Sequence, residues 1–218
     1  KEQVLSLGPE GLGERAPSAP SAHTFISDPH LPVPTLGGAI NSGEPVMTGG
    51  MFDHTTLFPV AGGESGRADV LSFLTAPLAD ALVIAGPVSA HLWVSADVAD
   101  CDVTIKLIDV YPDDGPALNL CDGILRLRFR DGFDQDAPLP RGVPAKAVVE
   151  AFPTAKRFAK GHRIRLDIAG SNFPHFDINP QTGAPLGHPG RRQMGTITIH
   201  TGPDTPSTLL LPVMEVAA

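Results

Sequence analysis

The chain has 218 residues, 42% of them hydrophobic, and a formal net charge of −8 at pH 7. The hydrophobic content is enough to bury a full core, while the acidic balance disfavours nucleic acid, whose binding depends on Lys and Arg neutralising phosphates. No apolar run approaches the ~20 residues of a membrane-spanning helix, and the first residues lack the basic and apolar regions of a signal peptide. These features predict a soluble protein that binds neither nucleic acid nor membrane, with a cytoplasmic location slightly favoured.

The first part of the chain is rich in residues that interrupt regular structure. A short strand is predicted at 3–7, and the Gly8-Pro9 pair and the Pro-rich run at 16–20 then end it. From 24 to 58 the pattern stays irregular, because recurring Pro and Gly disfavour helix. Such long irregular stretches in a compact domain are usually functional or packed on a neighbour. We therefore predict an extended segment over residues 1–60 that packs on a partner domain and on residues 61–218, with which it forms one domain.

Beyond this segment, apolar side chains alternate with polar ones in many short runs. A period of two is typical of strands with one buried face. The predicted strands are 70–74, 82–84, 88–95, 103–111, 117–129, 146–151, 161–168, 196–200 and 208–213. Pro112-Asp113-Asp114-Gly115 predicts a tight turn before the strand that starts at Ala117. That strand either carries a bulge at Gly123 or is divided by a second hairpin at Asp122-Gly123.

Charged side chains alternate with the core residues of two predicted strands, which places them on an outward face. These residues are Arg126, Arg128, Arg130, Arg163, Arg165 and Asp167. A solvated sheet face is the simplest interpretation, and a docking face for another domain is the alternative, since Arg bonds well at interfaces.

The predicted elements together indicate the class of fold. No window shows a sustained apolar period of 3.6 residues, so helix is a minor component. About eight to ten short strands with turns between them and no βα rhythm predict two antiparallel sheets. The sequence therefore predicts an all-β jelly-roll sandwich of the galactose-binding-like type.

The sequence offers no complete set of residues for acyl transfer. An α/β-hydrolase nucleophile needs a Gly-x-Ser-x-Gly elbow, and the nearest match, Gly63-Glu64-Ser65-Gly66, lacks the second Gly at its required place. Ser171, His175 and Asp177 lie within one loop, whereas a triad is assembled from separated elements. We therefore predict no catalytic residue in this chain and expect the chain alone to be inactive.

Metal ligands and disulfides are also disfavoured. His175-Phe176-Asp177 could supply two ligands, and Asp100-Cys101-Asp102 and Asp177-Ile178-Asn179 could hold calcium, yet none has the spacing of a known metal motif. Hydrogen bonding and turn formation are the simpler interpretations. Cys101 and Cys121 have no metal-ligand spacing and lie in or beside predicted strands, which favours two buried free thiols. We predict no metal and no cofactor.

Several motifs, in order over residues 24–213, resemble the C-terminal domain of the X-Pro dipeptidyl-peptidase and cocaine esterase family of serine hydrolases. They are Asp28-Pro29 through Pro32-Val33-Pro34-Thr35-Leu36-Gly37-Gly38, Ala76-Pro77-Leu78, Gly86-Pro87-Val88, Lys106-Leu107-Ile108-Asp109-Val110-Tyr111-Pro112-Asp113, Cys121-Asp122-Gly123-Ile124-Leu125-Arg126, Gly161-His162-Arg163-Ile164-Arg165 and Ser171-Asn172-Phe173-Pro174. The resemblance implies a jelly-roll sandwich. It also implies that the catalytic residues belong to a separate α/β-hydrolase domain, in the same polypeptide or another chain.

The resemblance further implies which residues meet the substrate. Ile40, Asn41 and Ser42 follow the Pro-Thr-Leu-Gly-Gly motif and would contribute one wall of the hydrolase cleft. Polar Asn41 and Ser42 replace the family's aromatic and aliphatic residues, which implies a smaller or more polar substrate than a benzoyl ester. A structural role is expected for the other family positions, Asp53, Asp109, Asp122, Gly161, His162, Asn172, Phe173 and Pro174.

Three hypotheses follow for the function. The first is a C-terminal, non-catalytic sandwich domain that stabilises an α/β-hydrolase domain of dipeptidyl-peptidase or esterase type and forms one wall of its cleft. The second is a free-standing carbohydrate-binding module, which one Trp and one Tyr barely support. The third is a protein-binding module whose partner is a separately encoded hydrolase, and a homo-oligomer is also possible.

Overall fold

Eleven β-strands make up almost all the regular structure of this chain, in a computed structural model that describes residues 1–43, 47–55, 67–188 and 191–215. The strands are β1 Glu2–Gly8, β2 Gly11–Gly13, β3 Ser21–Ser27, β4 Val70–Leu74, β5 Leu82–Ala96, β6 Asp102–Val110, β7 Ala117–Arg126, β8 Ala145–Phe158, β9 Arg163–Ala169, β10 Gly195–Thr201 and β11 Thr208–Pro212. Within these described ranges the only helical element is a 3₁₀ turn at Leu127–Phe129, and no helix is long and apolar enough to cross a membrane. The all-β prediction is confirmed.

The strands pair antiparallel and divide into two groups. In the first group, β5 pairs with β8 along one edge and with β10 and β11 along the other, while β3 pairs with β10 and β1 joins β11 to β2. In the second group the order is β7-β6-β9-β4. The groups meet where Gly123 of β7 pairs with Ala151 of β8. This arrangement is the antiparallel sandwich that the sequence predicts.

Gly123 is required at that meeting point because the two strands approach closely there. A Cβ atom on Gly123 would lie 2.0 Å from the backbone oxygen of Glu150, a distance that no real Cβ contact reaches. Gly123 therefore permits the contact between the two groups of strands, rather than forming a bulge or a turn.

The core lies between the two groups and is built from the alternating aliphatic residues. The buried side chains of the first group include Leu5, Leu7, Ile84, Val88, Leu92, Val94, Val149, Ile197, Ile199, Leu209 and Leu211. Those of the second group include Phe73, Val103, Ile105, Leu107, Leu125, Ile164, Leu166 and Ile168. Full burial of one such side chain contributes about 1.5–3 kcal/mol, so this alternation is the main sequence signal for the fold. Both cysteines are buried here as free thiols, as predicted.

Some predicted boundaries are wrong. The two predicted strands at 82–84 and 88–95 are one strand, β5, with a register shift between Gly86 and Val88. The second hairpin at Asp122-Gly123 does not form, because β7 runs unbroken to Arg126, and its register shift lies opposite Leu107 and Ile108. The predicted continuation to Phe129 is instead the 3₁₀ turn.

The irregular stretch predicted from residue 24 begins four residues too early. Residues Ser21–Ser27 form β3, which pairs along its whole length with β10. This edge strand buries few side chains, of which Phe25 is the largest, so its apolar alternation is weak. The strand therefore depends on the partner strand, which the local sequence does not show.

The outward face of the second group is covered around Arg165 and Asp167, contrary to the prediction of a solvated face, whereas Arg126, Arg130 and Arg163 are partly exposed. Arg165 is 0% exposed and Asp167 is also buried. Arg128 is buried as well, where it bonds Asp100. Residues 28–43 and 47–55, called the wrapping segment below, lie on the outer face of β7, β6, β9 and β4, where Val33 packs with Ala169 and Val70 and Asp53 pairs with Leu118. Residues 44–46 lie outside the part that the structure describes.

Candidate functional site

The wrapping segment is fixed to the sandwich at two places. At one, it runs beside the loop that follows β9, residues 170–176, called the exit loop: Phe173 donates its N–H to the Val33 carbonyl over 3.0 Å, and Thr35 donates to the Phe173 carbonyl over 2.7 Å. At the other, His54 donates its N–H to the Ala117 carbonyl over 2.8 Å. Backbone hydrogen bonds thus hold both ends of the segment on one sheet.

A row of polar side chains crosses the sheet beneath this segment. Strand register places Asp122 opposite Lys106, Lys106 opposite Asp167, and Asp167 opposite Ser72. The Ser72 hydroxyl donates to Asp167 Oδ1 over 2.6 Å. Residues opposite each other on adjacent strands point to the same side, so two carboxylates flank one buried ammonium group.

Arg165 extends this row into a balanced set of buried charges. Its Nε and Nη2 donate to the two oxygens of Asp167 over 2.6 and 2.7 Å, which is the paired geometry that an Arg and a carboxylate favour. Two buried cations therefore accompany the two buried carboxylates, a condition under which buried charge is tolerated.

His54 faces this charged layer from the wrapping segment. Its side chain is buried, and its Nε2 lies 3.0 Å from the Leu36 carbonyl oxygen. Burial, assisted by the nearby Lys106 ammonium, lowers the pKa of His54 to about 4. Burial also lowers the pKa of Lys106 to about 8, although Asp167 and Asp122 oppose that shift. His54 is therefore neutral at neutral pH, since a third cation here would be costly.

Asp122 joins the exit loop to the sheet. Asn172 Nδ2 donates to Asp122 Oδ2 over 2.7 Å, and His175 Nδ1 lies 2.9 Å from the same oxygen. A carboxylate oxygen accepts hydrogen bonds, so the proton of His175 is assigned to Nδ1. The His175 ring stacks on Phe176, with centroids 4.0 Å apart, and lies 5.9 Å from the Phe152 ring.

The predicted cleft residues lie on a hairpin of the wrapping segment, residues 38–50, called the cleft hairpin. Gly38 and Gly50 exchange both backbone hydrogen bonds, at 2.9 and 2.8 Å. Near the tip, Ser42 donates to the Met47 carbonyl and Met47 to the Gly43 carbonyl, each over 3.1 Å. Ile40 is 43% exposed, and Asn41 and Ser42 are also exposed. The hairpin thus presents all three predicted residues to its surroundings.

The base of the cleft hairpin lies against Asp122. Gly38 has a φ of 110°, which favours Gly, and a Cβ at this position would lie 3.1 Å from Asp122 Oδ1. The carboxylate that holds the exit loop therefore also contacts the hairpin. The structure brings Asp122 and Asn172 together with the element that carries Ile40, a relation that no spacing in the sequence reveals.

Asp53 fixes the returning strand of the hairpin to β7. Its Oδ1 accepts hydrogen bonds from the Ala117 N–H over 2.9 Å and from Thr55 N–H and Oγ1 over 2.9 and 2.5 Å. Desolvation is the largest single influence on the pKa of Asp53 and acts to raise it. These hydrogen bonds and the coulombic effect of His54 together outweigh it, so the pKa of Asp53 is lowered. The contacts suit the structural role expected of Asp53.

Asp109 and His162 form a second cluster that shares no hydrogen bond with the Asp122 cluster among the residues described. His162 Nδ1 lies 2.8 Å from Asp109 Oδ1, and Lys156 Nζ lies 3.0 Å from Asp109 Oδ2. The His162 ring packs on Tyr111 with centroids 4.3 Å apart. Gly161, with a φ of 85°, forms the turn before His162. This cluster joins β6, β8 and the start of β9, and it does not approach the cleft hairpin through any of these bonds.

The exit loop does not assemble a catalytic triad. Ser171 Oγ accepts the Val33 N–H over 2.8 Å, His175 is bonded to Asp122, and Asp177 Oδ1 accepts the N–H of Ile178 over 2.9 Å. Each member therefore has a separate structural partner. The Ser65 sequence at 63–66 lies outside the described residues.

Asp100 and Asp102, which were considered for calcium, are bonded to arginines. Arg126 donates to both oxygens of Asp102, and Arg128 Nε donates to Asp100 Oδ2 over 2.7 Å. Asn179 Nδ2 bridges Asp100 and Asp102. Arginine therefore supplies the positive charge at this cluster, and within the described ranges no group of three or more His, Cys, Asp or Glu is placed to hold a metal ion.

Comparison with known proteins relates this arrangement to one family. The family profile of the X-Pro dipeptidyl-peptidase C-terminal non-catalytic domain matches residues 39–210. The cocaine esterase of Rhodococcus sp. (strain MB1 Bresler) is 35% identical over 214 residues, which cover 96% of this chain and 35% of the esterase. The chain thus spans about a third of the length of this relative.

Solved structures with a similar fold also belong to longer chains. An aminopeptidase from the marine sediment archaeon Thaumarchaeota archaeon superposes with a TM-score of 0.84 and 29% identity, over 99% of this chain and 37% of that one. An alpha-amino acid ester hydrolase gives a TM-score of 0.83 and 31% identity, over 98% of this chain and 36% of that one. In each case the similarity covers nearly all of this chain and a minor part of a longer hydrolase.

Proposed function

The chain belongs to the family of X-Pro dipeptidyl-peptidase C-terminal non-catalytic domains, and on this premise we propose that it stabilises an α/β-hydrolase domain and forms one wall of its substrate cleft. The observation that carries the proposal is the cleft hairpin, which exposes Ile40, Asn41 and Ser42 while two backbone hydrogen bonds between Gly38 and Gly50 close its base. A cleft wall needs side chains that are exposed and yet fixed in place.

Exposed apolar side chains around the hairpin support a docked partner. Met51 is next to its returning strand, Phe173 pairs with Pro34 of the wrapping segment, and Phe152 lies beside the His175 ring. All three are exposed, which is unusual for large apolar side chains gathered around one element. Aromatic residues and Met are enriched where proteins associate, so a hydrolase domain that covers this surface would bury them.

The polar character of the hairpin tip bears on the substrate. Asn41 Oδ1 accepts the Gly43 N–H over 2.9 Å, which holds the Asn41 side chain within its own turn. A wall of one aliphatic and two small polar residues favours a compact or polar acyl group over a large aromatic one. We propose an ester or peptide substrate of this kind for the partner domain.

A glycan-binding module is less well supported. Such a site needs an exposed aromatic platform, and the single Trp of the chain, Trp93, is only partly exposed. The Lys146 ammonium lies 5.2 Å from the centroid of its ring, over the face that a sugar would occupy.

The proposal is tested by reconstitution. The chain, the α/β-hydrolase domain that accompanies it and the two together are assayed with aryl esters and X-Pro substrates, and reactive serines are labelled with a fluorophosphonate. We expect no turnover and no label from the chain alone, and higher activity and thermal stability of the hydrolase domain when the chain is present. Turnover by the isolated chain with a labelled serine would overturn the proposal.

A matched pair of variants locates the contact. Ile40→Asp places a charge on the cleft hairpin, and Leu186→Asp places one at an apolar residue of another loop that is also exposed. We expect only Ile40→Asp to weaken association, since a buried unpaired charge is costly at an interface. Equal effects of the two substitutions would argue against the hairpin as the contact.

A further inference from the structure

We propose that Asp122 is a positioning residue that fixes the cleft hairpin, and with it the acyl-group end of the substrate, through the exit loop that its carboxylate holds and through its place beside the base of the hairpin. The inference rests on the proposed function, and it adds a residue that would act on substrate selection without touching the substrate.

One carboxylate oxygen holds the exit loop. Asp122 Oδ2 takes hydrogen bonds from Asn172 Nδ2 at 2.7 Å and from His175 Nδ1 at 2.9 Å, and all three side chains are buried. Hydrogen bonds to an ionised acceptor are stronger than neutral ones, and burial protects them from water. The exit loop is therefore fixed to the centre of β7 rather than only to its neighbours in sequence.

The other carboxylate oxygen faces the hairpin. Asp122 Oδ1 is the atom nearest to the position of a Cβ on Gly38, the residue whose hydrogen bonds with Gly50 close the base of the hairpin. A Cβ at 3.1 Å would be tight against this oxygen, and the φ of 110° also favours Gly, so Gly at position 38 suits the close approach of the hairpin to the sheet. Asp122 Oδ1 makes no hydrogen bond to a described residue, so it bears on the hairpin through the space that it occupies.

The exit loop supports the same hairpin from a second side. Thr35, three residues before Gly38, accepts the His175 N–H at its Oγ1 over 3.1 Å and donates its own N–H to Phe173. Asp122 thus acts on the hairpin both through contact at its base and through the loop that supports its entry. Both effects depend on one side chain of the sheet.

The charge of Asp122 is balanced within the sheet. Lys106 lies opposite it on β6 and separates it from Asp167 on β9. Its positive charge lies next to a buried carboxylate that accepts two hydrogen bonds, and such pairing makes a buried charge tolerable. The rigid sheet therefore supplies both the position and the charge of the anchor.

The first experiment measures the hairpin in the isolated chain and does not depend on the partner domain. Hydrogen exchange is followed at the amides of Gly38, Ser42, Met47 and Gly50, which close the hairpin. We expect Asp122→Leu to accelerate exchange at these amides by about tenfold or more, relative to amides of β5. Asp122→Asn keeps an acceptor oxygen and should restore most of the protection.

Two further variants keep this test informative if Asp122→Leu does not fold. His175→Phe preserves the stacking on Phe176 but removes the bond to Asp122, so it should also accelerate exchange at the hairpin. Asp102→Leu is the matched control, because Asp102 is as buried as Asp122 and also bonds an Asn, but at the cluster of Arg126. Unchanged exchange at the hairpin in Asp122→Leu and His175→Phe would overturn the inference.

The second experiment separates this inference from the proposed function. With the hydrolase domain present, Asp122→Leu should raise KM for an ester with a bulky acyl group by about tenfold, and leave kcat for an acetyl ester unchanged. A loosened hairpin with an unchanged KM for both esters would support Asp122 as an anchor of the hairpin, and it would overturn the cleft-wall function together with the effect on the substrate. A changed KM without any change in hairpin exchange would overturn the positioning role.

Discussion

Replacement of Arg165 with Met should destabilise the folded chain far more than the loss of an ordinary surface arginine. Arg165 is 0% exposed, and its guanidinium group donates two hydrogen bonds to the carboxylate of buried Asp167. Met fills a similar length of space but leaves the Asp167 carboxylate without its main cation. Removal of one member of a buried ion pair typically costs about 3–5 kcal/mol, because the remaining charge stays buried.

The structure places the expected loss near the lower end of that range. Lys106 lies opposite Asp167 on the neighbouring strand, and Ser72 still donates to Asp167 Oδ1, so the carboxylate keeps part of its compensation. We therefore expect about 3 kcal/mol for Arg165→Met. The solvated-face interpretation of the same residue predicts only about 0–1 kcal/mol, so the two views differ by an amount that is readily measured.

Urea denaturation followed by circular dichroism provides the assay. With an m value of about 2–3 kcal/mol/M, the loss lowers the urea midpoint by about 1–1.5 M. The exposed Arg157 of β8 provides the control, and Arg157→Met should change the free energy of unfolding by less than about 0.5 kcal/mol. The double variant Arg165→Met/Asp167→Leu should recover about half of the loss, since the buried carboxylate is then gone. A midpoint for Arg165→Met equal to that of the control would refute the reasoning.

Three further predictions concern other buried groups. Because the pKa of His54 is lowered from 6.5 to about 4, the unfolded chain takes up a proton between these pH values that the folded chain does not. The free energy of unfolding should therefore fall by up to about 1.4 kcal/mol per pH unit as the pH drops through this interval. In His54→Gln the urea midpoint should depend less on pH over the same interval, and an equal pH dependence in the two proteins would contradict this. Gly123→Ala should cost about 1–3 kcal/mol in thermal melts, because its Cβ would meet the backbone of β8, while Gly13→Ala, with no atom nearer than 4.0 Å, serves as the control; equal melting temperatures would count against the close approach. Burial raises the pKa values of both thiols, that of Cys121 to about 12, so neither Cys101 nor Cys121 should react with a disulfide reagent until the chain unfolds, and rapid labelling of the native chain would contradict their burial.

The strands could be predicted because their signal is local. Ile164, Leu166 and Ile168 alternate with polar residues, and the same side-chain period marks β6 and β10. A two-residue period shows which side chains share a face of the strand, and it does so without information from the rest of the chain. Strands with few buried residues gave no such signal, and β3 was missed because its stability depends on pairing with β10.

The candidate site could be predicted only in part. The resemblance of the Pro-Thr-Leu-Gly-Gly segment indicated Ile40, Asn41 and Ser42, and the structure places them on one exposed hairpin. The contact between Asp122 and Gly38 joins positions 84 residues apart, and neither position carries a pattern that refers to the other. The preference for glycine at position 38 is explained only by the folded structure, in which the Asp122 carboxylate lies beside it.

By itself the sequence determined the fold class, the core residues and the family, because alternation, turn residues and ordered motifs are properties of neighbours along the chain. Only the tertiary structure decided that the charged face of the β7-β6-β9-β4 sheet is covered instead of facing water. Alternation distinguishes one face from the other but does not show what covers either of them. The wrapping segment covers the charged face, so Arg165, Asp167 and Asp122, which would be solvated on an open sheet, are buried.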